Sequence, residues 1–334
     1  MHTSKMPEML LPYYDPVVHE AYQVDTAESI HKRMGAVGLT KSEGVASHAL
    51  IPPHLHDSEQ VDPTVAIVMP YPFAIGLNDS MFTRSEYMAN TMLSGMNTLA
   101  FTSRAIGSRA VGLTFNQRRA MASGNLTPLL DSQCKAIEQR GIEEVHFFTY
   151  SQGVTTGLPL AAKLQKNGLA EVKTILAIEA PNSQERTMIE LAKNFSDTSL
   201  AQLNKAIGDT HIPAYIALSK AGGGLRNAIA QNASLARYAA GAVLPPNIAM
   251  VRNMQRNTLA QQLNAVLQVP ETDVHHMRMQ NSTILGEEQF DAINQQIVAT
   301  RNFEASTIPG YGHEAGDQIV LMAALAHRAI ASRL

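Results

Sequence analysis

The sequence predicts an α/β protein built on a mostly parallel sheet. Three observations carry that reading. Short continuous apolar runs recur along the chain, each with the composition of a strand buried on both faces. Helical stretches separate them at roughly 30–45 residues per unit, as βαβ crossovers require. Gly141 and Gly168 stand just past two of those helices, where glycine ends a helix without a Cβ penalty.

Residues 1–30 mix short apolar groups with turn residues and give no assignable element. Residues 44–52 read as an edge strand, followed by a polar loop over 54–63. The run Thr-Val-Ala-Ile-Val-Met over 64–69 is the first buried strand and is closed by Pro70. Residues 98–102, 145–150 and 172–178 repeat the pattern. Helices are expected over 85–94, 125–140 and 153–166. The middle one carries apolar residues at 126, 129, 130, 134 and 137, a helical spacing.

After Pro181 the pattern changes. Residues 183–270 are rich in Ala, Asn, Gln and Leu and read mainly as helices, interrupted by an apolar stretch at 212–218. That stretch is either a further strand or a buried helix of an insertion. Strand-like segments return at 274–279 and 303–308, with a helix over 287–299 between them. The closing helix spans about 316–332, with positions 319, 322, 323, 326 and 330 on one face.

Composition narrows the function. The 334 residues carry 26 basic and 29 acidic side chains, a net charge of −3, so no polyanionic partner is indicated. Nine Phe, nine Tyr and no Trp leave little aromatic surface for stacking on nucleic-acid bases. Cys134 is the only cysteine, so neither an internal disulfide nor a cysteine zinc site can form. No apolar run reaches 18 residues and no signal peptide is evident, so no transmembrane segment and a cytoplasmic location are expected. No cofactor is expected.

Two segments carry chemistry. Thr149-Tyr150-Ser151-Gln152-Gly153 follows a buried strand and opens a helix. A serine there, on a sharp strand-to-helix turn with a small residue two positions on, exposes Oγ at the sheet edge as a nucleophile. The backbone N–H of Gln152 then lies at a helix N-terminus, placed to donate to an oxyanion. The alternative is a serine that merely caps a βα turn. The second segment is Pro309-Gly310-Tyr311-Gly312-His313, a histidine on a glycine-rich turn before the last helix. An imidazole there can reach a serine on a neighbouring strand end as general base.

With these residues the chain resembles the α/β-hydrolase superfamily over roughly residues 44–330. The resemblance rests on Val65-Ala-Ile-Val-Met-Pro-Tyr-Pro-Phe73, Tyr150-Ser151-Gln152-Gly153 and Pro309-Gly-Tyr-Gly-His313. It implies an eight-stranded, mostly parallel sheet with helices on both faces. It also implies a core of 1–182 and 271–334, with 183–270 as a mostly helical cap after the sixth strand. Ser151 is then the nucleophile, His313 the base, and Gln152 and Phe73 the oxyanion donors. Pro72 has no N–H, which favours Phe73 as second donor.

The sequence departs from the family pattern at three points. Thr149 stands where glycine is usual, the common His-Gly of the oxyanion loop is absent, and Asn281 or Ser282 falls where a carboxylate is expected. Glu179, at the end of the sixth strand, is the alternative acid; a capping or ion-pairing residue is its other reading. Glu287, Glu288 and Asp291 lie further into the next helix, and Asp317 one turn past His313. His275-His276 would face opposite sides of a strand, and Gly222-Gly-Gly224 lacks the lysine of a phosphate loop. The methionines read as filler, although Met250, Met254, Met277 and Met279 would suit a flexible acyl pocket. The expected function is a serine hydrolase of a small acyl substrate. The alternative is a non-catalytic ligand-binding or interaction protein of the same fold.

Overall fold

The sheet has eight strands in the order β1-β2-β4-β3-β5-β6-β7-β8. The computed structural model describes residues 6–38, 40–41, 46–70, 79–92, 95–103, 114–187, 189–191, 193, 252–298, 301–313 and 318–331. The strands are β1 (Thr40–Lys41), β2 (Ala46–Ile51), β3 (Val65–Pro70), β4 (Asn97–Ser103), β5 (Glu144–Tyr150), β6 (Glu171–Ile178), β7 (Asp273–Met279) and β8 (Phe303–Ile308). β2 runs antiparallel to both β1 and β4, and every pairing from β4 to β8 is parallel. The segment read as an edge strand is therefore one place in from the edge, because the two-residue β1 lies outside it.

Alternation along the strands divides the core. Ala66 and Val68 of β3 and Val145 and Phe147 of β5 face one layer of helices. Ile67 and Met69, with Phe148 and Tyr150, face the other. The first layer comprises α5 (Thr127–Gln139), α6 (Gln152–Asn167), α7 (Leu259–Val266) and α8 (Glu287–Asn294). The second comprises α1 (Pro16–Val24), α2 (Ala27–Val37), α3 (Asp79–Thr91) and α9 (Ile319–Ala331). In chain order α4 (Phe115–Ala122) precedes α5. A parallel sheet needs both faces covered, which is why its strands read as unbroken apolar runs.

The N-terminal stretch without an assignable pattern folds as a 3-10 turn, Glu8–Tyr13, followed by α1 and α2. Asp15 caps α1 by accepting from Val17 and Val18 N–H, and Pro16 occupies its first turn. The Arg33 guanidinium of α2 ties these helices to α3 by bonding Glu86 at 2.6 Å, a carboxylate that also accepts from the Tyr22 hydroxyl at 2.8 Å.

The expected cap, 183–270, lies mostly outside the described residues, and so does the 212–218 stretch. Its described C-terminal part belongs to the core layer. Leu259, Leu263 and Val266 of α7 are buried against that cluster. Met277 and Met279 are strand residues of the opposite core face, and Met254 is also buried core, so these three are packing residues.

Candidate active site

The site sits at the carboxyl ends of β5 and β6, beside the point where the strand order reverses around β3. Such a crevice is where open α/β sheets bind ligands. Ser151 turns the chain from β5 into α6 with φ 53° and ψ −128°. Its backbone is pinned on both sides: Ser151 N–H donates to Ile178 O at 2.9 Å, and Val154 N–H donates to Ser151 O at 2.9 Å. The side chain makes no capping bond to the helix, so the hydroxyl is not an N-cap. Among the described residues, the only other non-glycine with positive φ is Glu179, at 58°. Such conformations cost about 1–3 kcal/mol each and collect at functional sites.

Strained turns on two neighbouring strands point their side chains at one histidine. Ser151 Oγ lies 3.0 Å from His313 Nε2, and His313 Nδ1 lies 3.0 Å from Glu179 Oε2. All three residues are buried: Ser151 is 3% exposed, His313 7% and Glu179 0%. A carboxylate only accepts, so Nδ1 carries the proton and donates to Glu179. Nε2 is then the acceptor for the serine proton. Asn281 does not stand at this position; its backbone N–H bonds Tyr311 O at 2.8 Å. Ser282 faces Glu179 and donates to its Oε2. The second carboxylate oxygen accepts from Met279 N–H at 2.5 Å.

Two features were not read from the sequence. Tyr150, directly before the serine, stacks on the His313 ring at 5.3 Å between centroids and 28° between planes. Its hydroxyl donates to the His313 carbonyl. The cue was a polar aromatic ending an apolar strand, which alone does not name a partner 163 positions away. The second is the accommodation of Thr149. Its Oγ1 donates to Leu176 O at 2.5 Å, and its methyl faces Gly157 of α6.

Gln152 opens the sixteen-residue α6, so its backbone N–H lies at the positive end of a helix beside the serine. Phe73 and Asp317 lie outside the described residues. His275 and His276 are split across the sheet: His275 sits 3.2 Å from Glu304, whereas His276 bonds Asn294 at 2.8 Å under Phe290. Among the described residues no group of three or more His, Cys, Asp or Glu could hold a metal ion. No helix among them is long and apolar enough to cross a membrane.

No sequence-family profile matches the chain, and no curated protein matches it by sequence. Solved structures do match. A structure from a study of carboxylesterases of the thaumarchaeon Nitrososphaera gargenis superposes with a TM-score of 0.52 at 14% identity, covering 84% of this chain and 93% of that one. A membrane phospholipase A described as a bacterial virulence factor gives 0.57 at 12% identity, covering 95% and 92%. A bromoperoxidase from Bacillus anthracis gives 0.52 at 11%, covering 87% and 99%. The chain has the α/β-hydrolase fold.

Proposed function

We propose that the protein is a serine hydrolase that cleaves a carboxylic ester or related acyl compound through an acyl-enzyme on Ser151. The observation that carries this reading is the unbroken path from Ser151 Oγ through His313 to Glu179, with Ser151 held at positive φ. In it, Oγ attacks the acyl carbon while its proton passes to His313 Nε2. The Glu179 carboxylate stabilises the imidazolium, and backbone N–H groups of Gln152 and Phe73 hold the oxyanion. Collapse of the tetrahedral intermediate breaks the bond to the leaving group, which takes the proton from His313. Water, deprotonated by His313, then attacks the acyl-enzyme and returns Ser151.

Two of the three departures that favour a non-catalytic binding protein have a counterpart in the structure; the third, the absent His-Gly, lies in a loop outside the described residues. Glu179 can serve as the acid missing after β7, and Thr149 fits its turn. The fold match to a structure from a carboxylesterase study is consistent with acyl transfer, although the same fold matches a bromoperoxidase. In this reading the cap over an acyl pocket ends before α7, which packs in the core layer. The test is labelling with a fluorophosphonate probe, wild type beside Ser151→Ala and His313→Ala. Labelling confined to chains that keep both residues supports the hydrolase. A folded wild type that does not react refutes it.

A further inference from the structure

The turn after β7 holds a hydroxyl where a carboxylate is usual, and that hydroxyl has one direction open to its proton. Ser282 Oγ accepts from Ile284 N–H at 3.0 Å and from Leu285 N–H at 3.1 Å. Those two bonds occupy both of its lone pairs. Among the described residues its remaining contact is Glu179 Oε2, so the hydroxyl proton goes to the oxygen that also faces His313 Nδ1. The same turn carries the histidine loop. Asn281 N–H donates to Tyr311 O at 2.8 Å, Gln280 N–H to Ile308 O at 3.0 Å, and Gly310 N–H to the Gln280 side chain at 2.9 Å.

We propose that Ser282 is a positioning residue for the triad, fixing the Glu179 carboxylate on His313 Nδ1 from the turn that also anchors the loop bearing His313. Among the described residues the Glu179 side chain has three donors: Met279 N–H on Oε1, and Ser282 and His313 on Oε2. Removing the hydroxyl leaves the carboxylate held by Met279 N–H on Oε1 and, among the described residues, by the imidazole alone on Oε2. Catalysis then suffers in the chemical step and not in substrate binding. This inference rests on the serine-hydrolase reading for its kinetic consequence but not for its geometry.

The experiment compares Ser282→Ala, Ser282→Thr and wild type on a p-nitrophenyl ester and by proton NMR of the imidazole Nδ1–H. Ser282→Ala is expected to lose roughly 10- to 100-fold in kcat, the scale of a hydrogen bond to a charged group, with KM unchanged. Its Nδ1–H resonance should broaden by exchange with water. Ser282→Thr keeps the hydroxyl and should restore both. If the alanine variant does not fold, Ser282→Cys, a weaker donor, takes its place with a smaller loss expected. Wild-type kcat and resonance in Ser282→Ala would overturn the assignment, and so would a folded Ser282→Thr as impaired as the alanine. A wild type inert to ester and fluorophosphonate would sink the hydrolase reading, while the resonance comparison still decides the role of Ser282.

Discussion

Thr149 and Gly157 are matched across the β5–α6 contact: a Cβ at position 157 would stand 2.3 Å from the Thr149 methyl carbon and 3.2 Å from Pro70. The elbow therefore admits a β-branched residue two positions before the serine because the helix has lost a side chain six positions after it. Gly157→Ala should destabilise the fold by about 1–3 kcal/mol, the range for overpacking a filled core. Thr149→Ser removes the methyl and keeps the hydroxyl bond to Leu176 O, so it should recover most of that loss. A double-mutant cycle from urea midpoints measures the coupling; additive effects would contradict the match.

Glu179→Gln keeps the size of the acid and removes its charge. A glutamine also offers an N–H₂ group, which cannot accept from Nδ1 and can favour the wrong imidazole tautomer. We expect kcat to fall by roughly two to four orders of magnitude, with the residual rate carried by the oxyanion donors and binding. Steady-state kinetics on a short ester check this. A loss under tenfold would mean the carboxylate is not the orienting group.

Tyr150 holds His313 twice, by its ring and by its hydroxyl. Tyr150→Phe keeps the stack and frees the His313 carbonyl, and should lower kcat roughly 3- to 10-fold. Tyr150→Leu loses both contacts and should be slower still. Equal rates in both variants would leave the stack without a role.

Buried His276 gives stability a pH dependence. Burial pushes its imidazole down to about 4, against partial support from Asn294. Between about pH 6.5 and 4 the unfolded chain binds a proton that the native chain refuses, so stability falls as pH falls through that window. The loss should be about 2 kcal/mol from pH 7.5 to pH 5 and is absent above the unfolded value. Urea midpoints at the two pH values, compared between wild type and His276→Gln, check it. An equal acid-induced loss in both chains would assign the effect elsewhere.

Much of this architecture was legible because a parallel sheet imposes unbroken apolar runs, and those over 64–69, 145–150 and 172–178 match β3, β5 and β6 closely. Ser151 and His313 were legible because each stands at a strand end beside small residues. Glu179 was legible only as one of several options, since Ile-Glu-Ala-Pro carries no sign of its positive φ. The N-terminal helices are not evident in the sequence although Asp15-Pro16 is a helix-start signal, because of their described side chains only Val18, Tyr22 and Ile30 are buried, too few to mark an apolar face. Ser282, Tyr150 and Gly157 act through partners far away in sequence, and no local pattern encodes such pairings.

The proposed mechanism stands or falls on a covalent acyl intermediate at Ser151. The most direct measurement is the pre-steady-state release of p-nitrophenol from a short p-nitrophenyl ester, joined to the intact mass of the acid-quenched chain. A burst near one equivalent per chain is expected when deacylation is made limiting. Wild type should gain one acyl group, mapping to Ser151, and Ser151→Ala should show neither burst nor adduct. A folded wild type that shows no adduct, or an adduct that survives in Ser151→Ala, would contradict the mechanism.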